Sequence, residues 1–260
     1  MKRMGSILSG VLIITYLLVV LGFVRNAYDG VLCNGIEVLI RDSLEQSFIS
    51  GSDVREMLMH EYPGIAGMQL SDLDASGMEQ TLSTIPAIER VEVYGRIDGR
   101  LVIEISQRSP IVRVEDREHR QYFLDREGYV IPAASGYTPY ILTVNGEIDG
   151  DFVKKKNVLE EDAAESGGNI MKEMLALAGF IADDPFWTAQ IEQVYVDRDG
   201  EFELVPRVGA QIILFGDGKQ VRQKFFKLGT LYREGFRQKG WNQYEIINLK
   251  YQNQVICTKR

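Results

Sequence analysis

Histidine and cysteine are scarce in this chain, with two of each in 260 residues. His60 and His119 stand far apart, neither with a Cys or second His nearby, so the ligand spacing of a zinc site is missing. Neither histidine has a Ser or Cys nucleophile near it in sequence, and no Gly-x-Ser-x-Gly elbow occurs. Gly216-Asp217-Gly218 lacks the Gly-Lys-Ser/Thr of a phosphate loop and reads as a turn before a helix. Glu160, Glu161 and Asp162 fall in a polar stretch and read as a solvated face. Asp197-x-Asp199-Gly200 looks like half a calcium loop, but the distal Glu is missing and the flanking residues alternate like strands, so a hairpin turn is expected. The expectation is a protein that is not an enzyme, with no catalytic residue, no metal ligand, no cofactor and no small-molecule substrate. Positive charge is also in deficit, 29 Lys and Arg against 37 Asp and Glu, which disfavours a nucleic-acid binder.

Long hydrophobic runs number only one. Residues 4–24, MGSILSGVLIITYLLVVLGFV, are uncharged, and Lys2 and Arg3 precede them. About 20 helical residues span the ~30 Å core of a bilayer, and flanking positive charge stays in the cytoplasm. A single-pass anchor with residues 25–260 exported is therefore expected. A cleaved signal peptide is the rival reading, but the run is long and RNAYDG after it has no small residues at cleavage spacing. Lys2 and Arg3 supply +2 of the net charge of −8, so the exported part carries −10. That sign argues against broad adhesion to anionic lipid. Cys33 and Cys257 read as two small apolar residues rather than a bridge.

Residues 25–34 read as a connector and 36–40 as a strand. A helix follows over 50–64, with Asp53 as its cap and Glu56 completing a capping box, and a second helix over 68–86. Val91 and Val93 alternate with Arg90, Glu92 and Tyr94 over 90–95, and Leu101, Ile103 and Ile105 alternate with Val102 and Glu104 over 100–106. Ile97-Asp98-Gly99 turns between them. Strands are expected next at IVRVED, at QYFLDREGYVIP with a turn at DREG, and at 139–147. A polar loop over 149–168 precedes a helix over 169–182. A hairpin over 191–206, a strand over 210–219, a helix over 219–237 and strands over 244–251 and 254–258 complete the series. A final strand at a sheet edge leaves backbone groups open to an added strand.

The segment 81–132 resembles the FtsQ/DivIB family of bacterial cell-division proteins. The residues that carry the likeness are Ile85-Pro86-Ala87-Ile88, Val91 and Val93, Leu101-Val102-Ile103-Glu104-Ile105, Arg108-Ser109-Pro110 and Phe123-Leu124-Asp125-Arg126-Glu127-Gly128. Ile247-Asn248-Leu249-Lys250-Tyr251-Gln252-Asn253 resembles the family's closing strand. Departures are Ala87 for an aromatic, Arg108-Ser109 for a Glu before Pro, Asn248 and Lys250 for Asp and Arg, and the insertion at 149–168. The resemblance implies an α+β protein: tail and transmembrane helix over 1–24, linker 25–34, POTRA domain (βααββ) 35–106, and β domain with two helices 107–260. It also implies a non-enzymatic divisome scaffold at the septum. This scaffold would be held in the inner membrane with its domains in the periplasm, bind an FtsB/FtsL-like coiled-coil pair and act on the FtsW/FtsI septal synthase. Lys250, Tyr251, Asn253 and Val255 on the C-terminal edge strand are the implied partner contacts. The alternatives are a POTRA-type chaperone or assembly factor for outer-membrane proteins, and an exported enzyme acting on peptidoglycan.

Overall fold

The computed structural model describes residues 11–20, 22, 30–41, 48–133, 137–150, 156–159, 168–236 and 240–260. Residues 11–20 are helical, and their large apolar side chains are all exposed, between 38% and 67%. The remainder of the expected anchor over 1–24 lies almost wholly outside the described residues. Among the described residues, no helix is long and apolar enough to cross a membrane. The chain is mixed α+β and divides into two units, Met1–Gln107 and Arg108–Arg260.

In the first unit β1 (Gly35–Arg41), α1 (Gly51–Glu61), α2 (Ala75–Ser83), β2 (Ile88–Gly95) and β3 (Arg100–Gln107) follow in the order βααββ. The two helices carry the chain from β1 to β2 at the opposite edge, and the Arg96–Gly99 turn returns it as β3, the central strand, antiparallel to β2 and parallel to β1. Gly99 sits at φ +86°, and a Cβ there would lie 2.8 Å from the Leu32 carbonyl, so the turn needs glycine. Val54, Leu58, Met78 and Leu82 on the helices pack on Val91, Val93, Ile103 and Ile105.

Three details of this unit differ from expectation. Ser50 caps α1, its hydroxyl accepting from the Asp53 N–H at 3.2 Å; Asp53 is already in the first turn. The second helix starts only at Ala75, because the Asp74 carboxylate accepts from the Gly77 N–H at 2.9 Å and caps it there, leaving a separate 3-10 turn over Leu70–Asp72. Cys33, expected in a connector, is buried in this core, and its N–H donates to the Met68 carbonyl at 2.8 Å.

The second unit is built on one nine-stranded sheet. Its strands are β4 (Pro110–Glu115), β5 (Gln121–Asp125), β6 (Val130–Pro132), β7 (Leu142–Gly146), β8 (Ile191–Val196), β9 (Phe202–Pro206), β10 (Ile212–Gly216), β11 (Tyr244–Asn248) and β12 (Ile256–Lys259). The spatial order is β12-β11-β10-β9-β8-β7-β4-β5-β6. Helices α3 (Gly168–Ala182) and α4 (Pro185–Gln190) cross from β7 to its parallel neighbour β8, and α5 (Val221–Thr230) crosses from β10 to its parallel neighbour β11. Met174, Ala178, Phe225 and Leu228 from the helices share a core with Val194, Leu204, Phe215 and Ile247 from the strands.

Several bounds move. The helix expected over 219–237 becomes α5 followed by a wider turn of π type over Leu231–Phe236. Helix α4 was not expected; Asp184 caps it and Pro185 opens it. Part of the polar stretch 149–168 is structural: Val158 is fully buried, and the Val130 N–H donates to the Lys156 carbonyl at 3.1 Å along β6. The strand expected over 244–251 stops at Asn248, whose side chain accepts from the Lys250 N–H at 3.0 Å and turns the chain away from the sheet.

Candidate partner-binding site

Among the described residues β12 is the last strand in the sheet, so one row of its backbone donors and acceptors has no strand beside it there. The turn that leads into it faces α5. Between them lies a groove of about 710 Å³, lined by Arg222, Lys224, Phe226 and Lys227 from α5 and by Lys250, Tyr251 and Asn253 from the turn. Among the described residues its lining carries four cations and no carboxylate, in a chain whose net charge is −8. Two aromatic rings stand at its rim, Phe226 at 71% exposure and Tyr251 at 48%.

Each cation is held differently. Lys224 is buried; its Nζ donates to the Asp217 carbonyl at 2.8 Å and carboxylate at 2.7 Å and lies 4.8 Å from the Phe215 ring centre. Burial would raise the pKa of Asp217, but the Lys224 hydrogen bond and charge outweigh it, and the carboxyl is held below its ordinary value. Lys227 ties the turn down, its Nζ donating to the carbonyls of Leu249 at 2.9 Å, Tyr251 at 2.6 Å and Gln254 at 3.5 Å. Burial, then the nearby Lys224 charge, pushes the Lys227 pKa down. Lys250 pairs with Glu201 of the β8–β9 hairpin, and that hydrogen bond first of all raises its pKa. Arg222 is exposed at the groove mouth. Asn253 takes φ 59°, a left-handed conformation that an asparagine tolerates at a turn.

Of the sequence-derived contacts, Lys250, Tyr251 and Asn253 come together in this groove, but on the turn and not on the edge strand. Val255 does not join them; it packs against the core of the sheet. The edge strand itself begins at Ile256, which is 44% exposed. Arg222, Phe226 and Lys227 went unnoticed in the sequence. Their signal was the run of basic residues Lys219, Arg222, Lys224 and Lys227 within an acidic chain.

The other sequence candidates resolve as local structure. Asp197 Oδ1 accepts from the N–H groups of Asp199 at 2.9 Å and Glu201 at 2.8 Å, the pattern of a hairpin turn. Gly216 lies at φ +78° and the Gly218 N–H donates to Glu173 at 2.7 Å, a turn before α5. Cys33 and Cys257 are both free thiols. Among the described residues, no cluster of three His, Cys, Asp or Glu is placed to hold a metal.

An open strand edge beside a basic, aromatic groove is the equipment of a protein-binding scaffold. Residues 109–258 match the family described as FtsQ/DivIB, C-terminal related, and residues 31–106 match a POTRA-like domain. The chain belongs to the FtsQ/DivIB family. Both matches point to a division-related scaffold with division proteins as partners. No curated protein matches this chain.

Proposed function

We propose that this protein is a non-enzymatic divisome scaffold whose second unit captures a division partner by strand addition. The observation that carries the proposal is the open edge of β12 next to the basic groove. A partner strand paired with Ile256–Lys259 would draw its affinity from backbone hydrogen bonds. Side chains flanking that strand would reach Tyr251 and Lys250, and the sign of the groove selects acidic residues there. An FtsB-like chain from an FtsB/FtsL pair is the partner, and the septal synthase FtsW/FtsI is the complex the scaffold serves.

Exposed apolar side chains along the whole of the helix at 11–20 support an anchor in lipid, because in water such a surface is costly. Lys2 and Arg3 then set the N-terminus in the cytoplasm and both folded units in the periplasm, at the septum. The domain bounds follow as 1–24 for tail and anchor, 25–34 for the linker, 35–106 for the POTRA domain and 107–260 for the β domain.

The test is a titration of the full chain in detergent with the FtsB-like partner of the same organism. Tyr251→Ala and removal of 256–260 should each weaken binding on the order of tenfold or more, the scale of a central interface aromatic. Unchanged affinity in both would defeat strand capture at β12. Depletion in cells should give filaments with segregated chromosomes and normal outer-membrane barrels. Falling barrel levels with normal division would place the protein in outer-membrane assembly instead.

A further inference from the structure

We infer that the helical face of the second unit is a second docking surface, separate from the β12 edge, and that it takes an acidic amphipathic helix. The face is made by α3, α4 and α5. Two grooves run across it, one of about 330 Å³ between α4 and α5 and one of about 650 Å³ beside α3, and both include Phe180 and Arg222. They continue the partner groove, since Arg222 lines all three.

The floor is apolar and aromatic. Phe180 stacks on Phe225 with ring centres 4.7 Å apart, and the Trp187 ring lies tilted 4.7 Å from Phe225. Two glycines keep that floor low. At Gly179 of α3 an added Cβ would meet nothing nearer than an Arg126 nitrogen at 3.5 Å, and at Gly229 of α5 nothing nearer than an Arg233 nitrogen at 3.4 Å. Glycine within a helix costs stability relative to alanine, so two on one face leave room there at a cost.

The walls are positive. Lys172, Arg222 and Arg233 line the grooves, and none has an ion-pair partner among the described residues. Arg126 is spoken for by Asp183, with its two nitrogens at 2.6 and 3.2 Å from the carboxylate. Three unpaired cations around an aromatic trough, in a chain of net charge −8, call for an occupant of opposite sign. A helix fits a trough between helices by placing residues i, i+3, i+4 and i+7 on its floor, with carboxylates on the flanks toward the arginines. A bilayer would suit this face less, because the rings of the floor lie below the charged rim, although Phe226 and Phe186 stand clear of it at 71% and 49% exposure.

The experiment follows amide hydrogen exchange over 168–190 and 221–236 in the full chain in neutral detergent. The probe is a synthetic 18-residue amphipathic helix with leucines on one face and glutamates on the other, and its counterpart has lysine for every glutamate. The expected result is that the acidic peptide alone slows exchange on this face. The double variant Lys172→Glu, Arg222→Glu, both exposed positions, should weaken its binding at least tenfold and gain affinity for the lysine peptide. Gly179→Leu should block both by filling the floor. Removing 256–260 should leave the peptide's affinity unchanged, which separates this surface from the proposed strand capture. Equal protection by the two peptides, unchanged binding in the double variant, or the same protection from phosphatidylglycerol added to the micelles would overturn the inference.

Discussion

Lys227→Met should loosen the turn into the open edge strand without unfolding the sheet. The lysine gives its three ammonium protons to three carbonyls of that turn, at 2.9, 2.6 and 3.5 Å. A hydrogen bond to a charged group contributes roughly 1.5–3 kcal/mol. The longest of the three adds little, and the freed carbonyls lie near solvent and regain water, so the low end applies to the other two. Methionine keeps most of the apolar stem. A net loss of about 3 kcal/mol remains, which is roughly 150-fold in the opening equilibrium of the turn. The Leu249 N–H, bonded to the Leu214 carbonyl at 2.9 Å, reports that opening directly. Its hydrogen-exchange rate should rise roughly 150-fold. Arginine at 227 should restore only part of the protection, because a planar fork cannot meet three carbonyls as a tetrahedral ammonium does. An unchanged Leu249 exchange rate in Lys227→Met would refute the reasoning, since the turn would then be held by its own backbone.

Other outcomes follow from the same geometry. Arg108 and Asp125, exposed only 8% and 6%, pair at 2.8 Å, with the guanidinium 3.5 Å from the Tyr129 ring centre. Arg108→Ala should therefore cost about 3–5 kcal/mol in thermal or urea unfolding, as for any half-broken buried pair. A Cβ at Gly146, at φ +115°, would strike the Val196 backbone of the parallel neighbour β8, its nitrogen 2.8 Å away, so Gly146→Ala should lower the melting temperature by about 5 °C or more. At acid pH, burial would raise Asp116 and Asp217, but amide bonds and Arg120 on the first and Lys224 on the second hold both below the ordinary 3.8. Their stabilisation is present above pH 3.8 and is lost as pH falls through the lowered values. Asp116→Asn should flatten that limb of the stability–pH curve. Lys250 runs the other way: its raised pKa makes its contribution full below pH 10.5 and lost as pH climbs through the folded value, so Glu201→Gln should remove that alkaline limb.

The parts of the fold that are legible in the sequence are those with a strict period and a marked end. β2 and β3 flank an Asp-Gly turn, β2 alternating and β3 carrying the apolar run Leu101–Ile103, and both lie where the pattern puts them. What the sequence hides is decided by side chains acting on backbone. Asp74 resets a helix start, and Asn248 ends a strand that hydrophobicity alone carries to Tyr251. Val158 reads as one apolar residue in a charged stretch, and only the sheet gives it a core to enter. The candidate site was half legible for the same reason. Lys250, Tyr251 and Asn253 are neighbours in sequence, whereas Lys227 meets them only because α5 crosses over to β11.

The two ends of the nine-stranded sheet are unequal. β6 is three residues long, finishes in Pro132 and is met by the Lys156 carbonyl at its first residue, Val130, while β12 has no strand beside it among the described residues. Such a sheet has a valence of one. It can be extended in one direction by one strand, and the added strand becomes the new end. A short β6 ending in proline is a poor template, which disfavours stacking of copies of this unit through their sheets, since an edge-to-edge polymer needs growth at both ends. Under the proposed strand capture, the number of partners held at this edge equals the number of scaffold molecules present, so the sheet would count partners as well as bind them.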